Sequence, residues 1–241
     1  MVVLFAALLL LSRWITRHVQ GIGYLLSGDG HIALLLYFML MLPGVLVHEL
    51  CHVLSAWLLR VPVRHFSMGL RPRGGSNRVS LGSVDIAETD ALRSSLIGLA
   101  PLIGGSGLIL LIGRHVVDVQ SLPEFGDPGF WSGVRLAYGT PDFWLWVYLL
   151  LALGNAMLPS AADRSSWGIA LGFVGFLGAA LHFSGLLSSA STTIAHWAAG
   201  AASMLSYAFA ATVAVDLLFA VLLLTLEGGL ALLGLGRLRY D

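Results

Sequence analysis

Long apolar runs constrain the fold of this chain more than any other feature of its sequence. Hydrophobic residues make up 57% of the 241 residues and charged residues only 11%, whereas soluble domains carry about 25% charged residues. Inside a bilayer every backbone polar group needs a partner within the protein, so such runs fold as helices. We therefore predict an all-α polytopic membrane protein with about six transmembrane helices.

The expected spans follow the apolar runs in chain order. A first segment, 2–26, either crosses the membrane or lies in its interface, and the other spans cover 31–60, 94–113, 143–158, 167–187 and 199–226. The third span contains the small residues of Gly98–Gly105, which permit close helix packing. The glycines Gly168, Gly172 and Gly175 share one face of the fifth span and predict a second packing surface.

Residues 61–90 differ in kind from the apolar runs. Polar and apolar residues alternate in 63–68 and again in 78–86, with Gly and Pro between them. This pattern predicts a small β-hairpin between the second and third spans, with its turn at 71–77. Two interpretations remain open: a solvent-exposed loop, or a sheet edge that accepts an extended peptide by strand addition.

The arginines predict the orientation of the chain. Segment 60–93 holds six arginines and three acids, whereas segment 114–142, which we expect to be a loop, holds two arginines and four acids. By the positive-inside rule the first segment is cytoplasmic and the second external. We expect a multi-pass protein of a bacterial or archaeal cell membrane. Its formal net charge of zero argues against a nucleic-acid partner.

His48 and His52 frame the motif His-Glu-x-x-His inside the apolar run 31–60. On a helix the two imidazoles lie one turn apart on the same face, so they can share one metal ion, for which we expect Zn²⁺. Glu49 then stands beside the attacking water as general base. An unpartnered acid in a bilayer costs at least about 2.5 kcal/mol, which favours a metal site over a structural polar cluster. The arginine pattern puts this site inside the membrane, toward the cytoplasmic side.

A zinc site that performs catalysis needs a third protein ligand and one open position. We expect Asp163 to be this ligand, because it is the acid near the cytoplasmic end of another span. Glu88 and Asp85, in the predicted hairpin, are the alternatives. Asn155 either holds a substrate backbone or the developing oxyanion, or ties two helices together. For Asp216, inside the sixth span, we expect a helix–helix hydrogen bond.

A resemblance to a known family rests on several of these features together. They are His48-Glu49-Leu50-Cys51-His52 in a span, a hairpin after it, Ala100-Pro101 in the next span, and Asn155 eight positions before Asp163. The chain thus resembles the site-2 protease family of intramembrane zinc metalloproteases, over about residues 31–164. The family's second motif reads roughly Asn-x-x-Pro-x-Pro-x-x-Asp-Gly. Here the proline is Pro159, and Arg164 replaces the glycine.

The resemblance implies an intramembrane zinc endopeptidase that cuts transmembrane or membrane-proximal segments. His48, His52 and Asp163 would hold Zn²⁺, Glu49 would act as general base, and the partners would be the bilayer and a transmembrane substrate. We expect one membrane-embedded domain over 1–241, with the metalloprotease core at 31–164 and C-terminal helices at 165–241.

Two alternatives to this activity stay open. One is a non-proteolytic membrane metalloprotein of the same kind, a pseudoprotease. The other is a transporter, in which Asp216 and His182 would lie on the pathway.

Overall fold

The computed structural model describes residues 1–72, 79–115, 130–165, 167–183 and 187–233. The elements in chain order are α1 (Val2–Ser27), α2 (Gly30–Leu58), β1 (Val63–Pro72), β2 (Val79–Ile86), α3 (Ala91–His115), α4 (Phe130–Tyr138), α5 (Phe143–Ala156), α6 (Trp167–Phe183) and α7 (Leu187–Leu232).

Four helices in the described ranges are long and apolar enough to cross a membrane. They are Val2–Ser27, Gly30–Leu58, Ala91–Arg114 and Thr192–Leu232. The apolar helices α5 and α6 have only 14 and 17 residues, and at about 1.5 Å per residue they are shorter than a hydrocarbon core of about 30 Å. The predicted helical architecture is therefore confirmed, while the count of six spans is not.

Two predicted boundaries are wrong. Helix α7 extends beyond 199–226 at both ends. The extension is larger at the N-terminal end, where the first turns are rich in Ser, Thr and Ala, which permit a helix without being strongly apolar. The expected external loop 114–142 contains the short helix α4; residues 116–129 of that loop lie outside the described ranges.

The predicted hairpin is confirmed. Strands β1 and β2 pair antiparallel, with Val63 opposite Ile86 and Met68 opposite Gly82. Of the predicted turn 71–77, the first two residues belong to β1, and 73–78 lie outside the described residues. The hairpin lies against α2, and Met68 and Leu81 join the core between α1, α2, α5 and α7.

Helix α5 is the centre of the helical packing. The five consecutive residues of Leu150–Gly154 are all buried, as expected for a helix that is apolar on every side. It contacts α2, α3 and α7. Its Leu153 and Met157, the residue after the helix, pack with Leu8, Ile109 and Phe209, from α1, α3 and α7.

Glycines set the closest helix contacts. A Cβ at Gly44 in α2 would overlap the carbonyl of Ala152 in α5. The predicted close packing by Gly98–Gly105 is confirmed, because Gly105 in α3 touches Met157. The predicted packing surface on α6 is wrong for the described part of the chain: a Cβ at Gly172, in the middle of that face, meets nothing within 4 Å.

The outward faces of the helices carry large apolar side chains. Examples are Trp57, which is 77% exposed, and Phe176, which is 75% exposed. An apolar surface of this extent is typical of contact with lipid or another protein rather than with water. It is consistent with a membrane protein.

We predict that Gly44→Ala lowers stability, because the added methyl group overlaps the backbone of α5. Overpacking of this kind costs about 1–3 kcal/mol, which should lower the Tm in detergent by several degrees. The matched control is Gly172→Ala in α6, whose methyl group meets open space. Equal Tm values for the two variants would contradict the proposed contact.

Candidate metal centre

His48 and His52 lie one turn apart on α2, and their side chains meet. The rings pack edge to face, with 4.8 Å between their centroids. The two Nε2 atoms are 3.1 Å apart. The helix thus brings the two imidazoles together, as their i, i+4 spacing predicts.

The other ring nitrogen of each histidine bonds to a backbone carbonyl of a neighbouring helix. His48 Nδ1 is 2.6 Å from the Ala156 oxygen at the end of α5, and His52 Nδ1 is 2.9 Å from the Ile97 oxygen in α3. A carbonyl only accepts hydrogen bonds, so each Nδ1 must carry a hydrogen. Both Nε2 atoms are thereby left as potential metal ligands, the arrangement usual for histidines that bind metals.

Asp163 completes the cluster from the loop between α5 and α6. Its Oδ1 lies 3.2 Å from His52 Nε2, and its Oδ2 lies 3.6 Å from His48 Nε2. Ser160 holds the carboxylate: its backbone N–H donates to Asp163 Oδ2 at 2.6 Å, and its hydroxyl accepts from the Asp163 N–H. The adjacent Arg164 is exposed and donates from Nε to the Ser160 carbonyl.

The spacing of the three groups fits a metal ion. One potential ligand atom from each residue lies within 4.8 Å of the others, and the closest pairs are 3.1 and 3.2 Å apart. In a tetrahedral site with ligand bonds of about 2.0–2.2 Å, neighbouring ligands are about 3.3–3.6 Å apart. Three lone-pair donors at these separations repel one another unless a proton or a metal cation lies among them.

The carboxyl group of Asp163 is in the form that binds cations. Burial alone would raise its pKa. When a proton lies between the carboxylate and the two imidazoles, that contact and the hydrogen bond from Ser160 hold the pKa well below the usual range. The side chains of His48 and Asp163 are still 13% and 11% exposed, so the cluster is not fully buried.

Glu49 is buried beneath the hairpin. A Cβ at Gly82 in β2 would lie 2.7 Å from Glu49 Oε1, so the absence of a side chain at this position makes room for the acid. Close approach of a backbone is one of the reasons for a glycine within a strand. Strand β2 therefore covers the face of α2 that carries the acid of the motif.

The structure places the remaining predicted residues away from the cluster. Asp85 and Glu88 are exposed and do not belong to it. Asn155 Nδ2 donates to the Leu151 carbonyl at 2.9 Å and to Asp216 Oδ1 at 2.8 Å, so Asp216 makes the expected helix–helix hydrogen bond. Both N–H groups of the Asn155 amide are thus engaged. A role in substrate binding stays a prediction and would require one of these bonds to open.

Several supporting groups were not predicted from the sequence. The Ser160–Asp163 spacing matches a local capping pattern and could have been recognised. Gly98 lies against the backbone of Asp163. The sequence indicated that a glycine here permits close packing, but not which residue it would contact. The carbonyl of Ile97 could have been recognised, because Pro101, four residues further along α3, has no N–H to donate to it. The carbonyl of Ala156 leaves no such trace in the sequence.

Comparisons of the chain with protein-family models, with curated proteins and with solved structures give no significant match.

We predict energetic coupling between Gly82 and Glu49. Gly82→Ala should lower the free energy of unfolding by about 1–3 kcal/mol, because the new methyl group presses on the Glu49 side chain. In a Glu49→Ala background that pressure is gone, so a double-mutant cycle by denaturant unfolding in detergent should give a coupling of about 0.5–3 kcal/mol. Additive effects would show that β2 does not press on Glu49.

Proposed function

We propose that this protein is an intramembrane zinc metalloendopeptidase that cuts transmembrane or membrane-proximal segments of other membrane proteins. One observation carries the proposal: on an apolar helix, the Nε2 atoms of His48 and His52 lie within 3.2–3.6 Å of the Asp163 carboxylate, with the acid of the same motif beside them. Titratable groups in such helices are costly and are retained for function.

The donor set fits zinc in its composition. Two imidazoles and one carboxylate are ligands that Zn²⁺ accepts, and three protein ligands leave a fourth position for reactants. The ligands are also held by further contacts, from the Ile97 and Ala156 carbonyls and from Ser160. When bound, zinc would polarise the scissile carbonyl and lower the pKa of water toward about 7.

Glu49 would take the proton from the attacking water and deliver it to the leaving amine. Its position next to His48 in the motif and its burial under β2 support this role, because they hold the carboxylate beside the three candidate ligands and away from bulk solvent. The resemblance of the motif to the site-2 protease family supports the same assignment.

Hydrolysis requires water, and water would reach the cluster where the side chains of His48 and Asp163 are partly exposed. The site lies about 9–15 Å from the end of α2, at about 1.5 Å per residue. The arginine-rich segment 60–93 follows this end directly, which favours access from the cytoplasmic side of a bacterial or archaeal membrane.

A helical substrate hides its amides and must unwind before it can be cut. The β1–β2 sheet has two strands, so each strand keeps one edge without a strand neighbour among the described residues. We propose that the unwound substrate pairs with such an edge, because main-chain hydrogen bonds would replace those lost in unwinding.

The first test separates metal binding from catalysis. The wild-type protein should carry one zinc ion per chain when purified. In cells it should cleave a co-expressed membrane substrate. His52→Ala and Asp163→Ala should lose both properties, because each removes a ligand. Glu49→Gln should keep zinc and lose cleavage by about 10²–10⁴-fold, because the amide accepts no proton.

The matched control is His182→Ala, which removes an exposed histidine on α6 and should change neither zinc content nor cleavage. Full cleavage by Glu49→Gln would refute the general-base role. Zinc binding without any wild-type cleavage would select the pseudoprotease alternative.

The second test locates the substrate. A photo-crosslinking residue in place of Phe66 in β1, which is 43% exposed, should capture the substrate in a Glu49→Gln background. The same residue in place of Phe176 on α6, which is 75% exposed, should not. Crosslinking at Phe176 alone would contradict strand addition.

A further inference from the structure

We propose that Asp216 in α7 is a positioning residue for His48, acting through Asn155 and the last turn of α5. The inference rests on the proposed metal site, to which α7 itself contributes no ligand. It assigns a purpose to an acid that lies fully buried among apolar residues.

The first link joins α7 to α5. Asp216 is 0% exposed, and its Oδ1 accepts from Asn155 Nδ2 at 2.8 Å. The other oxygens of the pair, Asn155 Oδ1 and Asp216 Oδ2, have no hydrogen-bond partner among the described residues. A buried pair that leaves two acceptors unsatisfied is poor at stabilising a fold. We therefore assign the pair a role in the geometry of the neighbouring site rather than in stability.

The second link is the last turn of α5. The final carbonyls of a helix have no partner within the helix, so the Ala156 carbonyl is available to accept from His48 Nδ1 at 2.6 Å. Asn155 is the residue directly before it. A displacement of Asn155 therefore moves the acceptor that sets the orientation of the His48 ring.

The third link is the confinement of this turn on both sides. A Cβ on Gly154 would overlap the Thr212 side chain of α7, and a Cβ on Gly44 of α2 would contact the Ala156 methyl group at 2.8 Å. The turn thus fits between α7 and α2, with the Asp216–Asn155 bond as its directional contact. The packing at Gly154 and Gly44 limits how far the last turn of α5 can move. Within that limit, the hydrogen bond from Asn155 to Asp216 favours one rotation of the turn about the helix axis.

The test compares zinc affinity with stability in the full chain, using competition with a chelator and thermal unfolding of the metal-free protein. Asp216→Leu removes the acceptor and should weaken zinc binding by about 10–100-fold, the usual effect of losing a contact that orients a ligand. Asp216→Asn keeps an acceptor oxygen for Asn155 and should restore the affinity to within a few-fold of wild type.

The matched control is Thr212→Val, one turn away on α7. Thr212 also packs on α5, but its hydroxyl donates to Ala208 in its own helix at 2.9 Å, so zinc affinity should stay unchanged. If Asp216→Leu fails to fold, the double variant Asn155→Leu/Asp216→Leu removes both polar partners, leaves neither unpaired, and should show the same weakened binding.

The outcomes separate this inference from the proposed function. A wild-type protein that binds no zinc would overturn the metal site itself. Zinc binding by wild type together with unchanged affinity in Asp216→Leu or the double variant, even with a lower Tm, would overturn the positioning role. Asp216 would then make only a structural hydrogen bond between α5 and α7.

Discussion

The hydrogen bond from His48 Nδ1 to the Ala156 carbonyl is the interaction on which the candidate centre depends. It joins α2, which carries the motif, to α5, the most buried helix. It also determines which ring nitrogen is left to bind a cation. His52 makes the equivalent bond to Ile97 in α3. Both carbonyls lack a partner within their own helix, because Ala156 ends α5 and Pro101, four residues after Ile97, has no N–H. The two histidines therefore satisfy acceptors that would otherwise be unpaired.

Close backbone contact makes this arrangement possible. Several glycines lie where a side chain would displace a neighbour, among them Gly44 against α5, Gly98 against the Asp163 loop and Gly82 against Glu49. Dispersion and short hydrogen bonds replace the hydrophobic effect as the force between helices in lipid, and both need such closeness. The hairpin approaches α2 just as closely, because Gly82 of β2 lies against the side chain of Glu49.

The short helix α5 and the long helix α7 pack behind the candidate metal ligands. Helix α5 contacts α2, α3 and α7, and its second half is buried among them. Helix α6, by contrast, leaves Gly172 without a neighbour among the described residues. The candidate metal centre lies beside α5, and the Asp216–Asn155 bond joins that helix to α7.

The sequence by itself determined the helical class, the hairpin, and the placement of His48 and His52 on one face of α2. Apolar runs, alternation of polar and apolar residues, and i, i+4 spacing respectively indicate them, and all three are local properties of a chain. It also singled out Asp163 as the acid that joins His48 and His52. Only the tertiary structure decided the rest: the carbonyls that hold the imidazoles, the bond between Asn155 and Asp216, the true length of α7, and the open glycine face of α6. Each of these depends on which surfaces of separate helices meet. A local pattern such as Pro101 can show that the Ile97 carbonyl is free within its helix, but not that His52 will be the group that reaches it.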